Sequence, residues 1–216
     1  MPKVFIGVGH GGPDSGAVAN GWKEKDLNLS VAIACRDYLT GYGVEVKMSR
    51  TKDESDALQE EIKECNNYAP DLAIDIHNNA GGGDGAEVFH HYGGGKGQTL
   101  AKNILDEIVK IGQNSRGIKT RTNSAGKDYY GFIREITAPA VIVECAFVDN
   151  QTDIQIIDTA AEQKKMGIAI AKGILKTFRI SEVLYRVQVG AYANRTNAEA
   201  MLQKLKAAGF TGYIKE

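Results

Sequence analysis

Two histidines and two glutamates of this chain stand where ordered elements are predicted to begin or end. They are His10, Glu24, His77 and Glu144. Zinc in a hydrolytic site takes three protein ligands from histidine and carboxylate and leaves a fourth position for water. A glutamate that does not bind the metal can take a proton from this water and pass it to a leaving nitrogen, and Glu144 is the candidate. These residue types indicate zinc-assisted hydrolysis of an amide.

Three of the four residues follow short apolar runs that predict buried strands. His10 ends VFIGVGH, His77 ends LAIDIH, and Glu144 lies near the end of AVIVEC. Open α/β sheets bind ligands outside the carboxyl ends of their strands, so we expect these side chains to meet there. Glu24 opens the periodic stretch EKDLNLSVAIACRDYL and is predicted in the first turn of a helix, where the helix dipole favours a carboxylate.

The order of these elements predicts an α/β fold in two parts. Residues 1–180 predict a three-layer domain with a central, mostly parallel or mixed sheet flanked by helices. The periodicity of its closing helix is lost near Ser181. Residues 181–216 then predict a small α+β unit in the order strand, helix, strand.

Three blocks of the chain resemble the signature of zinc-dependent N-acetylmuramoyl-L-alanine amidases, the amidase 3 family. The blocks are GVGHGGPDSGAVANGWKEKDLNL, IDIHNNAGGGDGAEVF and PAVIVECAFVDN. The resemblance implies that His10, Glu24 and His77 bind Zn2+ and that Glu144 is catalytic. It also implies that the substrate is peptidoglycan, cut at the amide between the lactyl group of N-acetylmuramic acid and the L-alanine of the stem peptide.

Asp75 departs from the family pattern, which more often has Ser two residues before this histidine. In a strand, Asp75 shares a face with His77, so it could orient the imidazole through the ring nitrogen that does not bind the metal. The alternative is a surface position at the end of the strand. The last block also differs, because it has Glu144, Cys145, Ala146 and Phe147 where the family often has E-x-G-F.

Two further residues are candidates for contact with the substrate. Asn79, just beyond His77, could form a hydrogen bond with it. Arg134, beside the GFI run, could bind a stem-peptide carboxylate through its planar fork, or it could form a surface ion pair with Glu135. His90 and His91 lie outside the matching blocks, so we expect them at the surface or the cleft rim.

Composition excludes several other classes of protein. A net charge of -1 favours neither nucleic acid nor an anionic membrane as a partner. No apolar run approaches the length of a membrane span. The three cysteines fit neither a zinc knuckle nor a disulfide framework, and we expect them to be reduced and buried.

The first residues, MPKVFIGVGH, enter a predicted strand almost at once and leave no room for a signal peptide. We therefore expect synthesis in the cytoplasm and action on the cell wall after release. A phage or prophage endolysin released through a membrane lesion is favoured, and a mother-cell lytic amidase of sporulation is the alternative.

The C-terminal segment YRVQVGAYANRTNAEAMLQKLKAAGF resembles the opening of SPOR, a peptidoglycan-binding module built from two similar halves. Residues 181–216 supply one half, which buries too little apolar surface to be stable alone. Two chains could pair their halves in a homodimer. Otherwise the half packs on its own catalytic domain, or the chain is truncated.

Two rival functions use the same residues. A different zinc peptidase or amidohydrolase could employ this ligand set, but the signature blocks and the SPOR-like tail argue against it. A non-catalytic wall-binding protein with this fold is disfavoured because all four chemical residues are present.

Overall fold

The computed structural model describes residues 1–55, 57–181, 188–210 and 212–214. These residues belong to two compact units, Met1–Ser181 and Glu182–Glu216. The elements of the first unit are β1 (Lys3–Val8), β2 (Val18–Ala19), β3 (Trp22–Lys23), α1 (Glu24–Gly41), β4 (Glu45–Met48), α2 (Leu58–Tyr68), β5 (Leu72–Asn79), β6 (Ala86–His90), α3 (Lys96–Lys110), β7 (Ser115–Lys119), α4 (Gly131–Glu135), β8 (Ala140–Phe147), a 3-10 turn (Asp153–Ile156) and α5 (Ala160–Phe178).

A six-stranded sheet in the order β4-β1-β5-β8-β6-β7 forms the centre of the first unit. Strands β4, β1, β5 and β8 are parallel to their neighbours within this group. Strand β6 pairs antiparallel with β8, and β7 pairs parallel with β6. The sheet is therefore mixed, and the prediction of a three-layer α/β domain is confirmed.

Helices cover both faces of the sheet and bury its apolar side chains in two clusters. The larger cluster joins α1, α3 and α5 to one face, on which Val4, Ile6 and Val8 of β1 lie. The smaller cluster joins α2 and α4 to the other face, on which Phe5 lies. Strands buried on both sides contain nearly continuous apolar runs, which explains why VFIGV and AVIV carry no polar alternation.

The face that α2 and α4 cover changes character along the strands. Ala73 of β5 and Ile142 of β8 belong to its apolar cluster. Because side chains alternate along a strand, Asp75 and His77 lie on the same face as Ala73, and Glu144 lies on the same face as Ile142. Toward the carboxyl ends of β5 and β8, this face therefore presents ionisable side chains.

Among the described residues of the second unit, α6 (Arg195–Ala207) is the regular element. The side chain of Asn194 caps this helix by accepting a hydrogen bond from the backbone of Thr196. Residues 188–192 and 212–214 are not in strands. The rest of the two predicted strands lies outside the described residues.

Two expectations from composition can be compared with this architecture. Cys35, Cys65 and Cys145 are free and buried, as predicted. Within the described part of the chain, no helix combines the length and apolar character that crossing a bilayer requires.

Gly167 of α5 permits close packing against α1, and we predict that Gly167→Ala destabilises the first unit. A β-carbon at Gly167 would lie 2.4 Å from the carbonyl oxygen of Val31 and 2.8 Å from the backbone nitrogen of Cys35. Overpacking of this kind costs about 1–3 kcal/mol in the free energy of unfolding. Denaturant unfolding followed by circular dichroism measures the change.

Gly41→Ala is the matched control, because a β-carbon there would meet nothing within 4 Å in the same packed pair of helices. This substitution should leave the free energy of unfolding unchanged or raise it slightly, since alanine favours helix. Equal free energies of unfolding for Gly167→Ala and Gly41→Ala would contradict the close approach of α1 and α5.

Candidate metal centre and catalytic carboxylate

The structure brings together the three predicted metal ligands. His10 follows β1, Glu24 is the first residue of α1, and His77 lies on β5. Nε2 of His10 is 3.2 Å from Oε2 of Glu24, and Nδ1 of His77 is 3.0 Å from Oε1 of the same carboxylate. One ligand atom from each residue lies within 4.8 Å of the other two. Two imidazole nitrogens and a carboxylate oxygen are a donor set that suits zinc.

Each imidazole is oriented by a second carboxylate at its other nitrogen. Nδ1 of His10 is 2.8 Å from Oδ2 of Asp14, and Nε2 of His77 is 3.1 Å from Oδ2 of Asp75. A carboxylate in this position takes the ring N–H and leaves the opposite nitrogen free to bind a metal. Asp75 is buried, so it is not the surface residue of the alternative interpretation.

The carboxylate of Glu24 is held by a network of buried amides. Its Oε1 accepts a hydrogen bond from the backbone of Asn78, and its Oε2 accepts one from the backbone of Ala17. The side chain of Asn78 donates to Oδ1 of Asn28, whose amide donates in turn to the carbonyl of Gly9. The network therefore links Glu24 to the loop that carries His10.

A buried arginine also holds the loop that carries His10. Arg50 is 2 % exposed and donates to the carbonyls of Val8, Gly9 and Lys25. These bonds join the end of β1 to the first turn of α1. His10 itself has a φ of 64°, a left-handed conformation that a side chain other than glycine rarely adopts without such support.

The sequence analysis did not identify Asn28, Asn78 or Arg50. One signal was available for Asn28, because it follows Glu24 by four residues and so shares its helix face. Asn78 is next to His77 but points to the opposite face of β5, and Arg50 lies beyond the end of β4. Their partners are distant in sequence, so no local pattern marks them.

Gly9 leaves the space that the imidazole of His77 fills. A β-carbon at this position would lie 2.2 Å from Cε1 of His77 and 2.4 Å from its Nε2. No other residue type fits between β1 and the ring. The glycine after this apolar run therefore reflects its close packing against the ring of His77.

Glu144 lies beside this cluster on β8. It is paired in register with His77 of β5 and with Glu87 of β6. Its Oε2 is buried and forms no hydrogen bond with any described residue. Burial raises the pKa of Glu144 to about 7. A carboxylate with a pKa near neutrality can both accept a proton and return it.

The charges of the cluster favour a cation. Burial opposes ionisation of Glu24, but hydrogen bonds from His10 and His77 hold its pKa well below the ordinary value. The bond to Glu24 raises the pKa of His10, and Asp75 raises that of His77 against the effect of burial. Several carboxylates thus face two imidazoles, and a divalent cation would offset the excess negative charge.

The structure places the two candidate substrate contacts differently. The side-chain amide of Asn79 donates to Glu87, 3.1 Å away, on the face that Glu144 shares. Arg134 is 2.7 Å from Oε1 of Glu135 and donates to the carbonyls of Asp128 and Tyr129. Asn79 therefore lies near the metal-site residues, through Glu87. Arg134 instead forms the ion pair with Glu135 that the sequence analysis gave as the alternative.

The remaining histidines lie at the end of β6 that is remote from Glu144, where His90 is the last residue of the strand and His91 follows it. His90 is buried, so the expectation of a surface position was wrong for this residue. His91 is half-exposed and lies 3.1 Å from the carboxylate of Asp128. A surface position is thus correct for one of the pair.

Comparisons with known proteins agree with this geometry. A family model described as N-acetylmuramoyl-L-alanine amidase, Amidase_3, matches residues 4–176. A model of the SPOR domain matches residues 161–216, and so begins within α5.

Individual proteins extend the likeness over most of the chain. The sporulation-specific N-acetylmuramoyl-L-alanine amidase of Bacillus subtilis is 32% identical over 99% of this chain and 84% of that protein. The endolysin of Bacillus phage SPP1 is 30% identical over 83% of this chain and 67% of its own length. The structure of Cwp6 from Clostridium difficile superimposes with a TM-score of 0.80 and 40% identity, covering 82% of this chain and 29% of the Cwp6 chain.

We predict that Asn28→Ala weakens metal binding. Its amide supports both the Gly9 carbonyl and Asn78, so removal leaves buried polar groups without partners and loosens Glu24. Loss of such a supporting contact typically reduces metal affinity about 10–100-fold. Titration with Zn2+ against a chelating indicator measures the change.

Asn103→Ala is the control, because Asn103 is an amide on α3 that donates to Thr177, outside the cluster. Its zinc affinity should equal that of the wild type. If Asn28→Ala unfolds more easily yet binds zinc as tightly as the wild type, the amide network supports the fold alone.

Proposed function

The chain belongs to the Amidase_3 family of N-acetylmuramoyl-L-alanine amidases, and we propose that His10, Glu24 and His77 are its zinc ligands and Glu144 its catalytic residue. The family and its named members make the chain a peptidoglycan amidase. The observation that carries the proposal is the convergence of three ligand atoms within 4.8 Å beside Glu144. We assign catalysis to residues 1–180 and wall binding to residues 181–216.

The residues present fit zinc in number and type. Two imidazoles and one carboxylate match the three protein ligands typical of a hydrolytic zinc site, and both imidazoles have carboxylate partners at their other nitrogens. A zinc ion held there would supply Lewis acidity, which would polarise the scissile carbonyl and activate water.

The chain's own groups manage the proton in this mechanism. Glu144 takes a proton from the attacking water at the buried Oε2 and delivers it to the alanine nitrogen as the amide bond breaks. Its pKa, raised by burial to about 7, suits both transfers near neutral pH. Asp75 holds the His77 ring in one tautomer and is a positioning residue in this scheme.

We predict that Glu144→Gln lowers kcat by about 10²–10⁴-fold, the contribution typical of a general acid-base residue. Glutamine keeps the shape of the side chain but cannot accept the proton. The measurement is release of new amino-terminal alanine from purified peptidoglycan. Zinc affinity should be almost unchanged, because Glu144 is not one of the three ligands.

Removal of metal provides the complementary test. Chelation should abolish alanine release by the wild type, and added Zn2+ should restore it. Alanine release by Glu144→Gln at the wild-type rate would overturn the catalytic assignment. Release of reducing sugars or of other amino termini would instead indicate a different hydrolase.

We further predict that Asp75→Asn weakens zinc binding through His77. Asparagine retains the shape of Asp75 but lacks the charge that holds the ring N–H. A loss of about 10–100-fold in zinc affinity is expected. Asp71→Asn is the control, because Asp71 accepts a backbone hydrogen bond near the opposite end of β5. Equal zinc affinity in both variants would leave Asp75 without a positioning role.

For the biological role, we propose lysis of the cell wall after release from the cytoplasm, as an endolysin. The endolysin of phage SPP1 supports this role, whereas the sporulation-specific amidase of Bacillus subtilis supports the mother-cell alternative. Activity on vegetative walls and on cortex peptidoglycan separates the two. Preference for vegetative walls would favour the endolysin.

We propose that second units of two chains pair in a homodimer. No residue of α6 is buried within its own unit, and the side chains of Met201, Leu202 and Leu205 follow one stripe of this helix. These three side chains are half-buried, and Val189, Phe210 and Tyr213 of the same unit are exposed. Sedimentation of the full chain should show a dimer that Leu205→Lys dissociates and Gln203→Lys does not. A monomer at all concentrations would exclude the pairing.

A further inference from the structure

We propose that Arg116 and Lys119 form a binding site for a carboxylate of the stem peptide, on the sheet face that also carries Glu144. The proposal rests on the amidase function and specifies how its substrate is recognised. The two cations bind Glu87, and these three residues form a charged cluster on β6 and β7. These two strands run antiparallel to the other four strands of the sheet.

The cluster lies in line with the catalytic carboxylate. Glu87 of β6 is paired in register with Glu144 of β8, and directly paired residues of antiparallel strands share a face. Lys119 of β7 is paired with Phe89, two residues after Glu87, and so lies on this face as well. The ionisable groups thus form a row across β8, β6 and β7.

Glu87 anchors both cations. Its Oε2 accepts a hydrogen bond from Nε of Arg116 at 2.7 Å and another from Nζ of Lys119. Its Oε1 accepts the side-chain amide of Asn79. The guanidinium of Arg116 also lies 4.9 Å from the ring centre of Phe147, three residues after Glu144 on β8. Both cationic heads therefore have fixed positions.

The balance of charge leaves this cluster positive. Glu87 is buried, and one cation would neutralise it, yet two are bound. The side chains of Arg116 and Lys119 remain 36% and 34% exposed, so both reach solvent. A guanidinium fork beside an ammonium group is suited to a carboxylate, which can accept hydrogen bonds from both.

The distance from Glu144 matches a short length of peptide. Neighbouring strands are about 4.8 Å apart, so β7 lies roughly 10 Å from β8. An extended peptide advances about 3.3 Å per residue, so a carboxylate within about three residues of the scissile amide would reach the cluster. Arg134 is not suited to this role, because backbone carbonyls and Glu135 occupy its guanidinium.

The test compares two synthetic muramoyl peptides that differ in one group. One carries a free carboxylate on the residue after L-alanine, and the other carries a carboxamide there. The kcat/KM value for the carboxylate peptide divided by that for the carboxamide peptide measures recognition of the charge. We expect Arg116→Gln and Lys119→Gln each to lower this ratio about tenfold, mainly through KM of the carboxylate substrate.

Each single variant keeps one cation on Glu87, and thermal unfolding checks that it folds. Arg116→Lys supplies a further variant, which keeps the charge and should recover much of the ratio. Lys102→Gln is the matched control, because Lys102 is an exposed cation on α3 that pairs with Asp106. Its ratio should equal that of the wild type.

The outcomes distinguish failure of the carboxylate site from failure of the amidase function. Cleavage of both substrates with the same ratio in wild type and variants would overturn the carboxylate site and leave the amidase function intact. A role limited to neutralising Glu87 predicts this result. If the wild type cleaves neither substrate, the proposed function fails and the site fails with it.

Discussion

The first unit depends on one buried carboxylate, that of Glu24, at the start of α1. Its two oxygens face the imidazoles of His10 and His77, which come from the ends of two parallel strands. Burying a carboxylate costs several kcal/mol unless charge and hydrogen bonds compensate it. Here the imidazoles, two backbone amides and a nearby asparagine provide that compensation.

That requirement explains features that otherwise seem unrelated. The loop after β1 must reach the first turn of α1, so Arg50 and Asn28 bind its carbonyls and His10 adopts a left-handed backbone. The opposite nitrogens of the two imidazoles need acceptors, which Asp14 and Asp75 provide. A metal ion at this site would join elements that the hydrogen bonds already align.

Much of this arrangement follows from local sequence. Apolar runs mark the strands, and parallel strands end at one edge, so the meeting of His10, His77 and Glu144 was predictable. Strand alternation alone placed Asp75 on the face of His77. Asn28, Asn78 and Arg50 were not predicted because their main hydrogen-bond partners are distant in sequence. Arg134 was promising as a residue type, but tertiary contacts with Asp128 and Tyr129 occupy its guanidinium.

The direction of β6 was equally hidden from local pattern. A buried apolar strand has the same composition whether it runs parallel or antiparallel, so AEVFH predicts a strand without its orientation. That orientation sets Glu87 opposite Glu144 and brings β7 to the edge of the sheet. The row of charges beyond Glu144 therefore depends on the topology of the sheet, which local sequence patterns do not show.

Gly9 is a position where a substitution would affect the proposed metal site without straining the backbone. Its backbone is not left-handed, so the chain itself accepts a larger residue, but the ring of His77 occupies the space where a β-carbon would lie. One added methyl group would collide with the ring of His77, whereas the atoms nearest to it include none from either apolar cluster. A substitution at Gly9 would therefore disturb the proposed metal site and the proposed cleavage, while the fold and the proposed wall-binding unit remain.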